Sequence, residues 1–433
     1  MLLPDDVGKG LGAVLSIERL IGHEACLLYH STSTQTEGII SHGMSETLRR
    51  TPLYETHVRS AARLVPFAGW EMPVQYTGVM AEAKAVREAV GLFDVSHMGR
   101  VFIDGPQATE FLDYLTVNNV SKLTDGLGQY SLMCYESGGV VDDIIIYRIE
   151  ADGYIVIINA GNREKDITWM REKIAGFDAE LTDFSDRTAL IAVQGPKAID
   201  LLGNLMGSLQ RFGFGEGELF YSQVTEQHLE PASEGGTWLK GKAKQSVFTV
   251  QIARTGYTGE DGAELICSAD QAAALWDALI AAGATACGLG ARDALRLEAA
   301  LPLYGHEMDE SVNPYEARLG WVVKLDKTAN FIGKEALQAV KADGPRRKCV
   351  GITLEGKGIP REGYPVFAPP APDNGGASVG HITSGTFSPT VNRGIAMARI
   401  ESAYAKIGMA LEVEIRGARH AATVAPLPFY KNV

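Results

Sequence analysis

A strongly β-forming run that contains two adjacent acids constrains this chain more than any other segment. Residues 138–147 begin with a glycine turn and continue as a strand whose two acids are Asp142 and Asp143. Successive strand side chains point to opposite faces, so we expect the two carboxylates to occupy separate environments. A carboxylate on the apolar face is costly unless a donor or a cationic ligand meets it. The alternative is an edge strand whose two acids are solvated or bonded to turn amides.

The rest of the chain mixes helical and extended patterns without a regular βαβ rhythm, which predicts an α+β fold. Residues 77–90 carry apolar side chains at helical spacing and are followed by Gly91, which predicts an amphipathic helix. Residues 248–252 and 411–415 alternate apolar and polar side chains, which predicts two half-buried strands. A charged stretch at residues 341–348 precedes a segment rich in strands and turns, and we place a domain boundary there.

Composition excludes several classes of protein. The chain has 433 residues, which at about 150 residues per domain predicts two or three domains. Hydrophobic residues make up 45% and charged residues 21%, so we exclude a disordered or fibrous chain. The formal charge of −13 argues against a nucleic-acid partner or an anionic membrane. Residues 271–291 are the most apolar long stretch, but they include Asp277, which favours a packed soluble helix over a membrane span.

Neither a metal site nor a targeting segment is predicted. The five cysteines are widely spaced without a CxxC pair, and the nine histidines form no metal-binding motif. Free thiols favour a reducing compartment, and we expect a cytoplasmic protein. Residues 1–43 have no clear periodicity and are expected to be a disordered extension. Residues 226–245 combine glycines, a proline and several lysines, which predicts a surface insertion.

A glycine-rich acidic loop follows the strand predicted at residues 248–252. Residues 254–264 contain three glycines that permit a close approach of backbone and ligand, and they end at Glu264. A carboxylate at that position can accept two parallel hydrogen bonds from a planar donor edge such as an amino-pyrimidinone. The alternative is an ordinary charged hairpin loop.

Two arginines at helical spacing form the third candidate site. Arg292 and Arg296 are four residues apart, so they share a helix face near the start of a helix. Salt bridges to Asp293 or Glu298 are one explanation of this pair. The other is a guanidinium fork for the carboxylate of a ligand.

Taken together, these segments resemble the glycine cleavage T-protein family from about Arg50 to Tyr430. The motifs that carry the resemblance are TPLY at 51–54, FAGW at 67–70, LFDVSHM at 92–98, the Asp142-Asp143 strand, QGP at 194–196, the Tyr257 loop, the Arg292 helix and ITSG at 382–385. The resemblance implies a multi-lobed folate-binding aminomethyltransferase fold with a C-terminal β-barrel-like domain. It assigns residues 44–340 to the folate-binding region, in two lobes, and residues 346–433 to the β-rich domain.

The resemblance also implies a reaction. The methylene carbon of an aminomethyl group, carried on the dihydrolipoyl arm of the H-protein, passes to tetrahydrofolate while ammonia is released. Asp143 matches the catalytic carboxylate of the family, so Asp142 is expected to matter less. The matching folate contacts are Glu264, Arg292, Tyr130, Asn159 and Tyr257.

Three alternatives remain open. A related folate-dependent methyltransferase or demethylase could use the same fold on another one-carbon donor. The folate domain of flavin-containing sarcosine or dimethylglycine oxidases is similar, but this chain has no room for a flavin domain. A non-catalytic folate-binding iron-sulfur assembly factor carries a cysteine in the loop that corresponds to residues 254–260, and this chain has none there.

Overall fold

The computed structural model describes residues 47–203, 224–229, 248–369 and 376–432. The extension predicted over residues 1–43 and most of the insertion predicted over residues 226–245 lie outside these ranges. The insertion does not begin at Glu226 as predicted, because the backbone of Val224–Leu229 pairs antiparallel with the strand that begins at Phe248.

Helices and strands are mixed along the chain, which confirms the predicted α+β class. The helices are α1 (Tyr54–Arg59), α2 (Val79–Glu88), α3 (Ala108–Leu115), α4 (Arg163–Ile174), α5 (Ala198–Leu202), α6 (Ala272–Ala281), α7 (Leu289–Glu298) and α8 (Lys334–Asp343). The strands before the last domain are β1 (Arg63–Phe67), β2 (Trp70–Gln75), β3 (Gly91–Asp94), β4 (Gly99–Asp104), β5 (Gly128–Cys134), β6 (Val140–Glu150), β7 (Gly153–Ile158), β8 (Glu180–Asp183), β9 (Thr188–Gln194), β10 (Val224–Leu229), β11 (Phe248–Ala253), β12 (Gly262–Ser268) and β13 (Thr285–Ala286).

A six-stranded sheet in the order β10-β11-β12-β9-β3-β13 holds the acidic end of the glycine-rich loop. Its central strand β9 is buried at every position, as expected for a run of small and branched apolar residues covered on both faces. In β12, Glu264 pairs with Ala192 of β9 on one side and with Ala253 of β11 on the other. Glu264 is therefore fixed by two neighbouring strands and does not lie in a free hairpin loop.

A five-stranded sheet in the order β5-β6-β7-β4-β8 holds the two adjacent acids. In β6, Asp142 lies opposite Met133 and Asp143 opposite Leu132 of β5, and the register shifts by one residue just beyond Met133. Strand β7 ends at Ile158, so that Asn159 emerges beside β6. The central position of β6 excludes the edge-strand alternative.

The core between these sheets is formed by residues of both, together with α2 and α7. Phe93 and Leu190 of the six-stranded sheet pack in one cluster with Phe102 and Tyr147 of the five-stranded sheet, and Leu295 of α7 joins them. The two sheets therefore place their site residues at a common junction. Burial of this aromatic and aliphatic surface supplies the main driving force for the arrangement.

Helix α2 confirms the amphipathic helix predicted over residues 77–90, and it fixes the start of α7. The buried carboxylate of Glu82 accepts backbone N–H bonds from Tyr76, Thr77 and Gly78 through Oε1, at 2.6–2.9 Å. Its Oε2 accepts the N–H of Gly288, 2.9 Å away, directly before α7. One carboxylate thus satisfies orphan amides at the N-termini of two helices.

A buried aspartate joins α1 to the six-stranded sheet. Oδ2 of Asp94 accepts hydrogen bonds from Thr51 Oγ1, at 2.6 Å, and from His57 Nε2, at 2.8 Å. The hydroxyl of Tyr76 is hydrogen-bonded to Nδ1 of His57 at 2.9 Å, and the N–H of Ser96 donates to the other oxygen of Asp94. Burial opposes the charge, yet these bonds and the proximity of His57 lower the pKa of Asp94 to about 2.

The single helix predicted over residues 271–291 is wrong. Helix α6 ends at Ala281, the chain then forms the short strand β13, and α7 begins at Leu289. Gly283, with a φ of +107°, lies just after α6 in a conformation that side chains disfavour and glycine accepts. An alanine-rich run favours helix locally, but the turn at Gly283 ends it.

The last domain is a closed barrel in the order β14-β17-β16-β15-β18-β19. The strand predicted at residues 411–415 is confirmed and lies within this barrel. The six barrel strands are β14 (Arg347–Leu354), β15 (Pro365–Phe367), β16 (Ser378–Ser388), β17 (Arg393–Glu401), β18 (Ala410–Ile415) and β19 (Ala418–Ala425).

Helix α7 lies against the barrel as well as against the core of the first two sheets. Arg296 donates through Nη2 to Ser384 Oγ of β16 at 2.8 Å. Glu298 accepts hydrogen bonds from Ser388 and from Thr390, whose Oγ1 lies 2.8 Å away.

Across the described ranges of the chain, no helix has the length and apolar character needed to cross a membrane.

Candidate active site

Asp143 is a partly exposed carboxylate held by two polar neighbours. Tyr130 of β5 donates its hydroxyl to Asp143 Oδ2 at 3.1 Å, and Asn159 donates through Nδ2 to Oδ1 at 2.7 Å. Burial, and then the negative charge of Asp142, raise the pKa of Asp143 to about 7. A carboxylate with a raised pKa can serve as a proton acceptor or can stabilise a cation near neutral pH.

Asp142 is fully buried and accepts three N–H bonds. Oδ2 receives the backbone N–H of Asn159 at 3.0 Å, while Oδ1 receives Nδ2 of Asn159 at 2.9 Å and Nδ2 of Asn162 at 2.6 Å. The prediction of fully separate environments for Asp142 and Asp143 is therefore wrong. The strand alternates as expected, but the single amide of Asn159, at the end of β7, reaches both carboxylates.

Glu264 lies at the end of a buried hydrogen-bonded series and is 7% exposed. Thr255 donates through Oγ1 to Glu264 Oε2 at 2.6 Å, and the hydroxyl of Tyr147 lies 2.7 Å from Thr255 Oγ1. This series uses one carboxylate oxygen. A planar donor edge is what a carboxylate in such a buried setting pairs with best.

Arg292 and Tyr257 form the wall between Glu264 and Asp143. The guanidinium of Arg292 lies 4.5 Å from the centre of the Tyr257 ring, a cation–π contact. Burial lowers the pKa of Arg292, and the negative charge of Glu264 opposes that shift. Tyr257 donates its hydroxyl to the carbonyl of Pro302, and its pKa is raised, chiefly by burial and also by nearby Asp143.

The guanidinium of Arg292 keeps one buried donor without a partner. Among the described residues, Nη1 of Arg292 has no acceptor. Arg296, one turn later in α7, is instead fully paired: it binds Glu307 at 3.0 Å and Asp293 at 2.8 Å. The salt-bridge explanation therefore accounts for Arg296, and Arg292 retains the capacity to bind a ligand acceptor.

Two residues near this wall were not predicted as site residues. Trp321 stacks on Tyr130, with ring centres 6.1 Å apart. His97, at the end of the motif at residues 92–98, is buried, and its Nδ1 has no partner among the described residues. Burial lowers the pKa of His97 to about 4, and the positive charges of Arg292 and Arg100 act in the same direction. The negative charge of Asp94 opposes this shift. No sequence spacing marks either residue, because both reach the site only through tertiary packing.

The residues predicted from the sequence thus meet at one place with complementary chemistry. Tyr130 and Asn159 hold Asp143, Tyr257 is near enough to feel the charge of Asp143 and contacts Arg292, and Arg292 feels the charge of Glu264. A flat ligand with a donor edge and an acceptor would be matched by the carboxylate and the free guanidinium donor. An electron-poor carbon placed at Asp143 would be stabilised by its negative charge.

Comparison with known proteins places this geometry in a family context. Residues 53–229 and 236–327 match the family described as the GCVT N-terminal domain. Residues 347–431 match the glycine cleavage T-protein C-terminal barrel domain. The resemblance did not extend to the insertion predicted at residues 226–245, but the family match leaves only residues 230–235 of that segment unmatched.

Curated relatives and a solved structure extend over most of the chain. An aminomethyltransferase of Symbiobacterium thermophilum is 47% identical over 396 residues, which cover 90% of this chain and 99% of the relative. An aminomethyltransferase of Geobacillus kaustophilus is 44% identical over 393 residues, which cover 89% of this chain and 99% of that relative. The crystal structure of glycine cleavage system aminomethyltransferase T from Bartonella henselae superimposes with a TM-score of 0.75 at 33% identity, over 89% of this chain and 99% of that one.

Proposed function

The chain belongs to the glycine cleavage T-protein family, and from this we infer that it is an aminomethyltransferase. It transfers a methylene carbon from an aminomethyl group to an acceptor and releases ammonia. We propose that the donor is the aminomethyl-dihydrolipoyl arm of the H-protein, that the acceptor is tetrahydrofolate and that the reaction takes place in the cytoplasm. The observation that carries the proposal is that the carboxylate of Asp143, with its raised pKa, and the guanidinium of Arg292, with its unpaired donor, both lie near Tyr257.

The residues present fit the folate that this activity requires. The pterin ring of tetrahydrofolate offers a planar amino-pyrimidinone edge, and Glu264 has the charge and burial to accept two hydrogen bonds from it. Arg292 supplies the free donor, and Tyr257 and Tyr130 supply aromatic faces for a flat ring. When bound, tetrahydrofolate supplies the nucleophilic nitrogen that takes up the methylene carbon.

Asp143 is proposed as the catalytic residue. Loss of ammonia from the aminomethyl group develops positive charge on the methylene carbon, and a fixed carboxylate stabilises such a charge in a water-poor site. Asn159 and Tyr130 hold the two oxygens of Asp143, so that little reorganisation is needed when the charge develops. The negative charge of Asp143 is needed in this role, and its protonated form is therefore inactive.

The pH dependence follows from this requirement. Because the pKa of Asp143 is raised to about 7 in the free protein, the active ionised form is lost as the pH falls through 7. We expect kcat/KM to decline on the acid side with a midpoint near that value. A cationic donor in the site would favour the ionised form, so kcat itself should decline at a lower pH.

The proposal is tested by mixing the purified protein with aminomethylated H-protein and tetrahydrofolate and measuring ammonia release. We expect release to depend on both partners, and to fall by about 100-fold or more in Asp143→Asn. Glu310→Gln is a matched control, because this glutamate makes one long hydrogen bond to Tyr135 at the surface. Release at the wild-type rate without tetrahydrofolate, or from Asp143→Asn, would contradict the proposed roles.

A further inference from the structure

A second buried acid, Asp166, lies close to Asp142. Asp166, in the first turn of α4, is fully buried. Both of its carboxyl oxygens are buried, and neither receives an N–H or O–H donor from the described residues. An ionised carboxylate in that position would have no compensation for its lost hydration.

The charged and titratable groups that surround Asp166 do not neutralise it. The positive charge of Lys165 acts on Asp166, but its ammonium donates to the carbonyl of Val141 at 2.6 Å and to the hydroxyl of Tyr304 at 3.0 Å. No ion pair joins Lys165 to Asp166 among the described residues. The other groups that act on Asp166 or feel its charge are Asp142 and Asp143 on β6, Tyr304 after α7, and Tyr135 after β5.

The carboxylate of Asp142 is the acceptor that a protonated Asp166 would need. Asp142 takes three N–H bonds, an environment that suits the ionised form. Burial, then the charge of Asp142 and a hydrogen bond to it, raise the pKa of Asp166 far above its ordinary value. Two neighbouring carboxyl groups in a dry site share one proton rather than ionise together.

We propose that Asp166 is a neutral carboxylic acid that donates a hydrogen bond to the ionised Asp142, and that this pair is a positioning device for the active site. Asp142 fixes both the backbone and the side-chain amide of Asn159. That amide in turn binds Asp143. The pair therefore sets the direction of the Asn159 amide and, through it, the orientation of the catalytic carboxylate.

The protonation state is tested without turnover, by infrared difference spectroscopy of the wild-type protein against Asp166→Asn at pH 8. We expect the difference to contain the carbonyl band of a protonated carboxylic acid, shifted in heavy water. The loss of a carboxylate band instead would overturn the proposal. This readout does not depend on the proposed reaction, so its failure is distinguishable from failure of the function.

The positioning role rests on the proposed function and is tested by pH profiles. Asp166→Asn removes no charge, so the acid midpoint of kcat/KM should stay in place, whereas Asp142→Asn removes a charge near Asp143 and should lower the midpoint by about one pH unit. If Asp166→Asn lowers the midpoint by a similar amount, Asp166 is ionised and the proposal is wrong.

A variant without a donor measures the positioning itself. Asp166→Leu keeps the branched shape of the side chain, with a larger volume, but cannot bond to Asp142, and we expect kcat to fall about 10-fold or more with little change in the KM for tetrahydrofolate. Asp166→Asn, whose amide can donate to Asp142, should recover most of that loss. Wild-type kcat in Asp166→Leu would overturn the positioning role. If this variant does not fold, Asp166→Ala replaces it, with the same two outcomes.

Discussion

Replacement of Asp143 by asparagine should make the protein more stable while it removes most of the activity. Folding raises the pKa of Asp143 from an ordinary value of 3.8 to about 7. At about 1.4 kcal/mol per pH unit, that rise corresponds to about 4 kcal/mol of unfavourable free energy in the ionised native state. The carboxylate is partly exposed and accepts two hydrogen bonds that asparagine cannot fully replace, so we expect a net gain of about 1 to 3 kcal/mol.

The pH dependence of the gain identifies its cause. Native Asp143 holds its proton more tightly than the unfolded chain does, so the cost is absent below about pH 4 and grows as the pH rises. It is complete above the native pKa, near 7. Urea unfolding of both proteins should therefore show the full gain in Asp143→Asn at pH 8 and a clearly smaller gain at pH 5.

Asp142→Asn is the matched comparison, since it makes the same change at the adjacent residue. Asp142 accepts three N–H bonds while fully buried, and an asparagine would turn an amide donor toward one of them. We expect this variant to lose about 1 to 3 kcal/mol of stability. The weaker effect of Asp142 on turnover stays a prediction, and the three N–H bonds add the expectation that Asp142 stabilises the fold and holds Asn159. The reasoning about the raised pKa of Asp143 would be refuted if Asp143→Asn were less stable than the wild-type protein at pH 8.

Three further predictions concern binding, acid stability and packing. Glu264→Gln and Arg292→Lys should each weaken tetrahydrofolate binding in calorimetric titration, the first by about 1.5 to 3 kcal/mol, and unchanged affinity in both would contradict the assigned site. The pKa of Asp94 is about 2 in the fold, so its contribution of about 2 kcal/mol should be lost as the pH falls from 4 to 2, and Asp94→Asn should be less stable at pH 7 and lack this part of the acid transition. Gly139→Ala should lower the free energy of unfolding in urea by about 3 kcal/mol or more, because its Cβ would lie 1.8 Å from the carbonyl oxygen of Glu310. Wild-type stability of this variant would show that the backbone moves to relieve the clash.

Local periodicity was sufficient where one face of an element is buried and the other is polar. It predicted α2 and the strands that begin near Phe248 and Leu411. It was insufficient at residues 271–291, where a uniformly apolar run has no polar face to mark a boundary, and the chain turns at Gly283. Periodicity reports burial, and a segment that is apolar throughout carries little information about where an element ends.

The candidate site was predictable in its residues but not in their connections. Resemblance to the family selected Asp143, Glu264 and Arg292, and their roles remain predictions. The bridge from Asn159 to both aspartates depends on the pairing of β6 with β7, and sequence spacing contains no sign of it. Asp166 was equally invisible, because an acid in the first turn of a helix is ordinarily a solvated residue that favours the helix dipole.

Helix α7 presents Arg292 to the site and, from the same few turns, Arg296 and Glu298 to the barrel. The barrel therefore acts on the candidate site through α7, because its serine and threonine hydroxyls bond to the helix that carries Arg292. Loss of the Ser384 hydroxyl, for example, would then hold α7 less firmly, and Arg292 would be less rigidly placed in the site. Helix α7 is therefore shared by the two domains, through the core of the two sheets on one side and the barrel hydroxyls on the other.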